Sequence, residues 1–153
     1  MDDFYSDLET GKRGEKMVAA ALAARGHFVK DLSNDFEARM NDIDLLLVNK
    51  QQQTTTIEIK NDLASERTGN LFIETYNSNN QSHSFKGWFF YCAAEYICFV
   101  QEESRKAHIV KLEDIKEELK RNKYRVASTS NSQGYLLPIT AVATLPSYFL
   151  LAV

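Results

Sequence analysis

Ile43-Asp44-Leu45-Leu46-Leu47-Val48 and Thr54-Thr55-Thr56-Ile57-Glu58-Ile59-Lys60, separated by Asn49 to Gln53, are the stretch on which the reading of the fold turns. Both runs are rich in β-branched and aliphatic residues, and the polar segment between them has turn composition, so they read as two strands of a hairpin. If the strands pair antiparallel about Gln51, position 44 lies opposite position 58, each seven residues from the turn centre. Directly opposed residues share a face, with Cβ atoms roughly 4.5–5.5 Å apart. Lys60 is two residues beyond Glu58 and shares that face, while Ile57 and Ile59 point to the other.

The hairpin therefore gathers two carboxylates and one lysine at one end. Carboxylates this close repel unless a cation sits between them or one is protonated. Hard oxygen donors suit Mg²⁺ or Mn²⁺, and the backbone carbonyl of Ile59 offers a further oxygen. A cation held there can polarise a phosphate oxygen and lower the pKa of a bound water. Lys60 can then stabilise developing negative charge or help deprotonate the water. The bland alternative is a solvated cross-strand salt-bridge cluster, which half-exposed strands often carry.

Outward from the hairpin, a helix is expected from about Asp7 to Arg25. Its apolar stripe is Met17, Val18, Ala21, Leu22 and Ala24, and Gly26 stops it. Phe28-Val29-Lys30 follows as a short strand. Leu71 to Tyr76 and Tyr96 to Val100 read as further strands, and Asn77 to Ser84 as a mobile polar loop. Gly87 to Glu95 reads as a short helix, Ala107 to Lys111 as a strand, and Leu112 to Asn122 as an amphipathic helix with Ile115 and Leu119 inward. Tyr124-Arg125-Val126 and Tyr135 to Ile139 are extended. This order implies a mixed α/β protein, a sheet flanked by helices, in a single domain over 1–153.

Composition narrows the function. The 153 residues carry 25% charged and 44% hydrophobic residues and a net charge of −3. No global basic field marks a module that binds nucleic acid by electrostatics alone. An enzyme is less constrained, because a metal supplies positive charge locally. Two cysteines, Cys92 and Cys98, form neither a CxxC pair nor a zinc cluster, which suits a reducing, cytoplasmic setting. The acidic start lacks a secretory h-region, and no apolar stretch is long enough for a membrane span. No Ser/His or Cys/His pair suggests acyl transfer.

Asn41-Asp42-Ile43-Asp44-Leu45-Leu46-Leu47 followed by Ile57-Glu58-Ile59-Lys60 resembles the PD-(D/E)xK signature of restriction-endonuclease-like nucleases, a superfamily that includes Holliday junction resolvases and many phage nucleases. Asp44 stands at the first acid's position, Glu58 at the second's and Lys60 at the lysine's. Ile43 stands where the motif's name has proline. Asp42 is a rival first acid, but Asp44 is followed directly by the hydrophobic run. Gly11-Lys12-Arg13-Gly14-Glu15 resembles the helix start that carries an upstream glutamate in many members, and Glu15 shares a helix face with Val18, Ala19 and Leu22. Glu66-Arg67-Thr68-Gly69-Asn70-Leu71-Phe72-Ile73-Glu74 is similar to a T-G-N…E stretch of phage and prophage nuclease-like proteins. Phe85-Lys86-Gly87-Trp88 and Ala94 to Val100 fit the segments that follow it.

The resemblance implies a restriction-endonuclease-like fold and Mg²⁺- or Mn²⁺-dependent hydrolysis of DNA phosphodiesters, in a phage or mobile-element setting. Asp44, Glu58 and the Ile59 carbonyl would bind the metal, Lys60 would assist catalysis, and Glu15 would complete the site. Glu74, Lys86 and Arg67 are candidates for outer contacts or substrate phosphates. A homodimer, cutting two strands, is expected from the fold's habits. The rival reading is a catalytically silent nuclease-fold protein that binds nucleic acid or a protein partner. His27, His83 and His108 are scattered, and the aromatic run Trp88 to Tyr91 is read as core or interface in preference to a base-stacking platform.

Overall fold

In the computed structural model, which describes the backbone of residues 2–153 and side chains from residue 5 onward, two β-sheets share the chain with short helices and one long one. The helices are α1 (Asp2–Ala24), α2 (Phe36–Met40), α3 (Ser65–Thr68), α4 (Trp88–Tyr91), α5 (Leu112–Arg121) and α6 (Ile139–Val142). The strands are β1 (Phe28–Asp31), β2 (Leu45–Val48), β3 (Thr54–Asn61), β4 (Asn70–Asn77), β5 (Tyr96–Gln101), β6 (Lys106–Lys111), β7 (Val126–Ser128), β8 (Ser132–Pro138) and β9 (Phe149–Ala152). A mixed six-stranded sheet runs β1-β2-β3-β5-β6-β9, and a three-stranded antiparallel sheet runs β4-β8-β7. Among the described residues the only parallel pair is β3 with β5. A parallel pair needs a long crossover, and α3, β4 and α4 form it.

The hairpin sets the registry of the rest. β2 and β3 pair antiparallel with Leu45 opposite Ile57 and Val48 opposite Thr54, the register a turn centred on Gln51 requires. Asn49 closes that turn by accepting on its side chain from the backbone N–H groups of Gln51 and Gln53, both at 2.9 Å. Alternation then sorts side chains onto two faces. Leu45, Leu47, Ile57 and Ile59 pack with Cys98, Val100, Ala107, Ile109 and Leu151 under Val18 and Leu22 of α1. On the opposite face Ile97, Phe99 and Val110 pack with Leu71 and Ile73 of β4, Trp88, Leu112, Ile115, Leu137 and Val142. β5 is buried on both faces, which suits its nearly continuous apolar run.

α1 ends where its sequence requires. Gly26 adopts φ +89°, and the N–H groups of Gly26 and His27 bond back to the carbonyls of Ala23 and Leu22. A left-handed residue just past the last turn is nearly free for glycine and costly for others. At Gly87 the constraint is proximity: a Cβ there would overlap the Glu74 carbonyl.

Several expectations need correction. Leu71 to Tyr76 is a strand, but it leaves the main sheet and founds the second one with β8. The helix expected over Gly87 to Glu95 is one turn, Trp88–Tyr91. The segment read as a mobile loop after Asn77 is closed by the Asn77 N–H on the Phe85 carbonyl at 2.9 Å and the Asn80 side chain on the Lys86 carbonyl at 2.8 Å. The strand read from Ile43 begins at Leu45. Ahead of it stands α2, capped by the Asp35 carboxylate accepting from the Ala38 N–H at 2.8 Å. A five-residue helix has too short a period to register as a pattern, although its Asp cap is visible in the chain.

Candidate active site

The two strands of the hairpin part company at Asp44. After α2 the chain turns through Asp42 at φ +54°, with the Ile43 N–H on the Ala38 carbonyl at 2.9 Å. That turn brings Asp44 to the head of β2 without making it part of the ladder. Its backbone N–H still reaches the Ile57 carbonyl at 3.0 Å. Beyond that point β3 runs on unpaired on this side, and the Ile59 N–H would be left without a partner. The Asp44 carboxylate takes it, at 2.7 Å. The acid thus sits at the fork between the strands, half-buried and lining the cleft beside α1.

From one face come Glu58 and Lys60, in the row of side chains that holds Ile97 and Phe99 on the neighbouring strand. Glu58 is 5% exposed and Lys60 Nζ donates to it at 2.6 Å. Nζ also donates to Asp42 at 3.1 Å and lies 5.4 Å from the centre of the Trp88 ring. The second oxygen of Glu58, Oε2, is buried with no hydrogen-bond partner. From the α1 face comes Glu15, which lines one cleft with Asp44 and Asp31.

Burial and like charge dominate the electrostatics. Burial pushes the Asp44 carboxyl up, against the Ile59 N–H and the Lys60 charge, which favour ionisation. Burial also holds Glu58 well above the usual carboxylate range, against Lys60 and reinforced by Asp42 and Asp44. Glu15 rises to about 7, through burial first and then the charges of Asp44 and Asp31, with Lys12 opposing. Burial alone would depress Lys60, but Glu58 and Asp42 more than offset it and keep the ammonium charged. The Asp44 charge works against ionisation of the buried Glu58, and a shared proton or a cation relieves that repulsion.

The residues present fit a divalent cation in that role. Asp44 and Glu58 are hard oxygen donors, Glu58 Oε2 has no other partner, and Mg²⁺ is commonly held by one or two carboxylates with water and substrate oxygens completing its shell. Among the described residues no three His, Cys, Asp or Glu side chains converge closely enough to cage an ion by themselves. Any metal would therefore depend on the backbone oxygens and on the substrate.

The outer candidates separate. Glu74 accepts from Ser132 Oγ at 3.0 Å and Asn77 at 3.3 Å in the second sheet. Its charge is felt at Tyr91, whose hydroxyl is pushed up to about 12 by burial and then by Asp42. Lys86 is exposed beside the bridge between its own backbone and Tyr76. Arg67 lines a different depression with Leu63, Ala64, Glu66 and Glu103. His83 hydrogen-bonds the Met40 carbonyl at 2.8 Å and stacks on Tyr91 at 3.7 Å, and so braces the turn that carries Asp42. In the sequence Asp42 stands only as a rival to Asp44. Its role beside Lys60 comes from the turn after α2, which spacing does not reveal.

A latch positions α1 over this site. Asn61, directly after Lys60, donates to the Thr10 carbonyl at 2.8 Å and to Glu102 at 2.7 Å. Arg13 donates to the same Glu102 oxygen at 3.1 Å. Gly14 allows the approach, since a Cβ there would stand 3.1 Å from that of Asn61. Glu15 is the next residue.

No family model matches the chain, and no curated protein matches it in sequence. Among solved structures the fold is similar to that of a bacterial homing endonuclease, I-Ssp6803I, with a TM-score of 0.51 and 14% identity, covering 86% of this chain and 78% of that one. At that identity the likeness is one of fold. No helix of the described residues is long and apolar enough to cross a membrane.

Proposed function

We propose that this protein is a metal-dependent deoxyribonuclease of the PD-(D/E)xK type, hydrolysing DNA phosphodiester bonds with Mg²⁺ or Mn²⁺, in a phage or mobile-element setting. The observation that carries this reading is the fork. Asp44 caps the free Ile59 N–H where β2 and β3 separate, with Glu58 and Lys60 beside it. The fold shared with an endonuclease supports it.

In this reading Asp44, Glu58 and the Ile59 carbonyl hold the metal, and Glu15 extends the acidic set from α1. The bound metal supplies Lewis acidity and a water of lowered pKa. In the metal-free site Glu58 and Asp42 hold the Lys60 ammonium charged, and in this reading that positive charge neutralises the charge developing on the phosphate. Asp42 orients Lys60 through the second hydrogen bond of its ammonium. The Trp88 ring, 5.4 Å from the ammonium, adds a cation–π attraction that helps hold it in place.

The test is cleavage of linear, nicked, branched and single-stranded DNA in Mg²⁺, in Mn²⁺ and in EDTA, alongside Lys60→Ala. Cleavage that requires the metal and is lost in Lys60→Ala is the expected result. Cleavage that persists in EDTA, or in Lys60→Ala at the wild-type rate, refutes the mechanism.

One observation favours a second reading, a silent nuclease-fold protein that binds nucleic acid or a protein partner. Glu58 and Asp42 already pair with Lys60 at 2.6 and 3.1 Å, which compensates part of their charge without a metal. Wild-type DNA binding without cleavage of any substrate would establish that reading instead.

A further inference from the structure

The acids of the site open into a cleft of about 750 Å³ between α1 and the β1–α2–β2 segment. α1 contributes Lys12, Glu15 and Lys16 to its wall, and the opposite wall holds Asp31 and Arg39, with Asp44 also lining the cleft. Lys12, Lys16 and Arg39 are exposed, and none forms an ion pair among the described residues. Arg13, one residue from Lys12, is by contrast committed to Glu102. Three cations thus stand with their hydrogen-bonding capacity free around a cleft that ends on the candidate catalytic acids.

The charge of the cleft is nearly balanced. Four carboxylates, Asp7, Glu15, Asp31 and Asp44, face the three cations. With all four carboxylates ionised the lining is formally minus one without a metal, and a phosphodiester backbone gains little by entering. A divalent cation on the acids adds positive charge at the end of the cleft and turns it attractive for an anion. Its volume is that of a small-ligand site, enough for a short run of one backbone and too small for a whole duplex.

Resting on the nuclease reading above, we propose that this cleft is the seat of one DNA strand's phosphate backbone, gripped by Lys12, Lys16 and Arg39, and that it binds DNA only when a divalent cation occupies the acids. Glu15 and Asp44 face the strand from the cleft, and Lys60 acts from the far side of the fork. Because backbone contacts carry no sequence information, these three residues set affinity, and base selectivity must come from elsewhere.

The experiment is fluorescence anisotropy of a short labelled DNA duplex, titrated with protein carrying Lys60→Ala so that substrate persists, in Mg²⁺ and in EDTA across a salt series. In Mg²⁺, adding K12Q, K16Q and R39Q together is expected to weaken binding on the order of tenfold or more and to flatten the salt slope by about 2–3, near 0.9 per lost phosphate contact. Single substitutions flatten it by about 1 each, which keeps the test open if the triple variant folds poorly. Calorimetric Mn²⁺ binding should survive in the triple variant, and K120Q with R121Q on α5 should leave DNA binding unchanged.

Equal binding of parent and triple variant in Mg²⁺ overturns the cleft assignment and leaves the nuclease reading standing. Equal binding of the parent in Mg²⁺ and EDTA overturns the metal gate. Failure of the parent to bind DNA at all, together with absence of cleavage by the wild type, overturns both this proposal and the reading it rests on.

Discussion

Glu15→Gln should stabilise the metal-free protein. In the folded state the Glu15 carboxyl is raised to about 7 from an ordinary value of 4.5, mainly by burial and then by Asp44 and Asp31. A carboxyl raised on folding binds a proton more tightly in the native state, so its contribution to stability is most favourable at low pH. It turns unfavourable as pH climbs from 4.5 to about 7 and is constant above that. A tenfold change in proton affinity corresponds to about 1.36 kcal/mol, so the rise from 4.5 to about 7 sets an upper bound of about 3 kcal/mol above neutrality. Glu15 is only half-buried, and solvent screening there leaves about 1–2 kcal/mol of it. Glutamine keeps the shape and discards the charge. Urea or thermal unfolding in EDTA at pH 8 should therefore show Glu15→Gln more stable, by about 2–8 °C in Tm for a chain of this size. At pH 4.5 the two proteins should unfold together. Saturating Mg²⁺ should narrow the gap at pH 8, because the cation relieves the same repulsion in the wild type. A variant less stable than wild type at pH 8 in EDTA, or equally displaced at both pH values, would refute the electrostatic reasoning and mark Glu15 as an ordinary packing residue.

Asn61→Ala removes the bonds from β3 to Thr10 and Glu102 but also deletes a buried oxygen that has no partner, so its stability loss should sit near the lower end of the roughly 1–3 kcal/mol usual for a broken buried polar contact. Its mark should be a larger drop in Mn²⁺ affinity by calorimetry than a surface variant of equal stability shows, since the latch aims Glu15. His108 sits between Gln101 and Tyr148 at 2.9 Å each, and burial, then Lys106, pushes its pKa below 6.5. Stability from this group is whole above pH 6.5 and is lost as pH falls through the depressed value, so His108→Phe should make the unfolding free energy less sensitive to acid below pH 6.5. An unchanged acid dependence in that variant would count against the assignment.

The hairpin was legible in the chain because a two-residue period and a polar turn are local features. Residues 45–48 and 54–57 pair in the register their spacing implies, and Glu58 and Lys60 share a face for the same reason. α1 was legible from its stripe and its stop at Gly26. Glu15 could be placed on the sheet-facing stripe by helical spacing, although nothing local said which acid it would approach.

Other features depended on contacts between distant segments. Leu71 to Tyr76 has the composition of any buried strand, and a strand's pattern says which of its faces is apolar without saying which edge will accept it. Only the crossover of β3 to β5 displaces it into the second sheet with β8. The partnership of Asp42 with Lys60 needs the positive-φ turn after a five-residue helix, which lies below the length at which periodicity speaks. The latch of Asn61, Glu102 and Arg13 joins residues as many as 89 positions apart. Sequence by itself settled the alternation and the charges available at the hairpin's end, since backbone geometry enforces both. Tertiary structure alone decided which of those charges meet and how deeply they are buried, because both follow from packing between segments far apart in the chain.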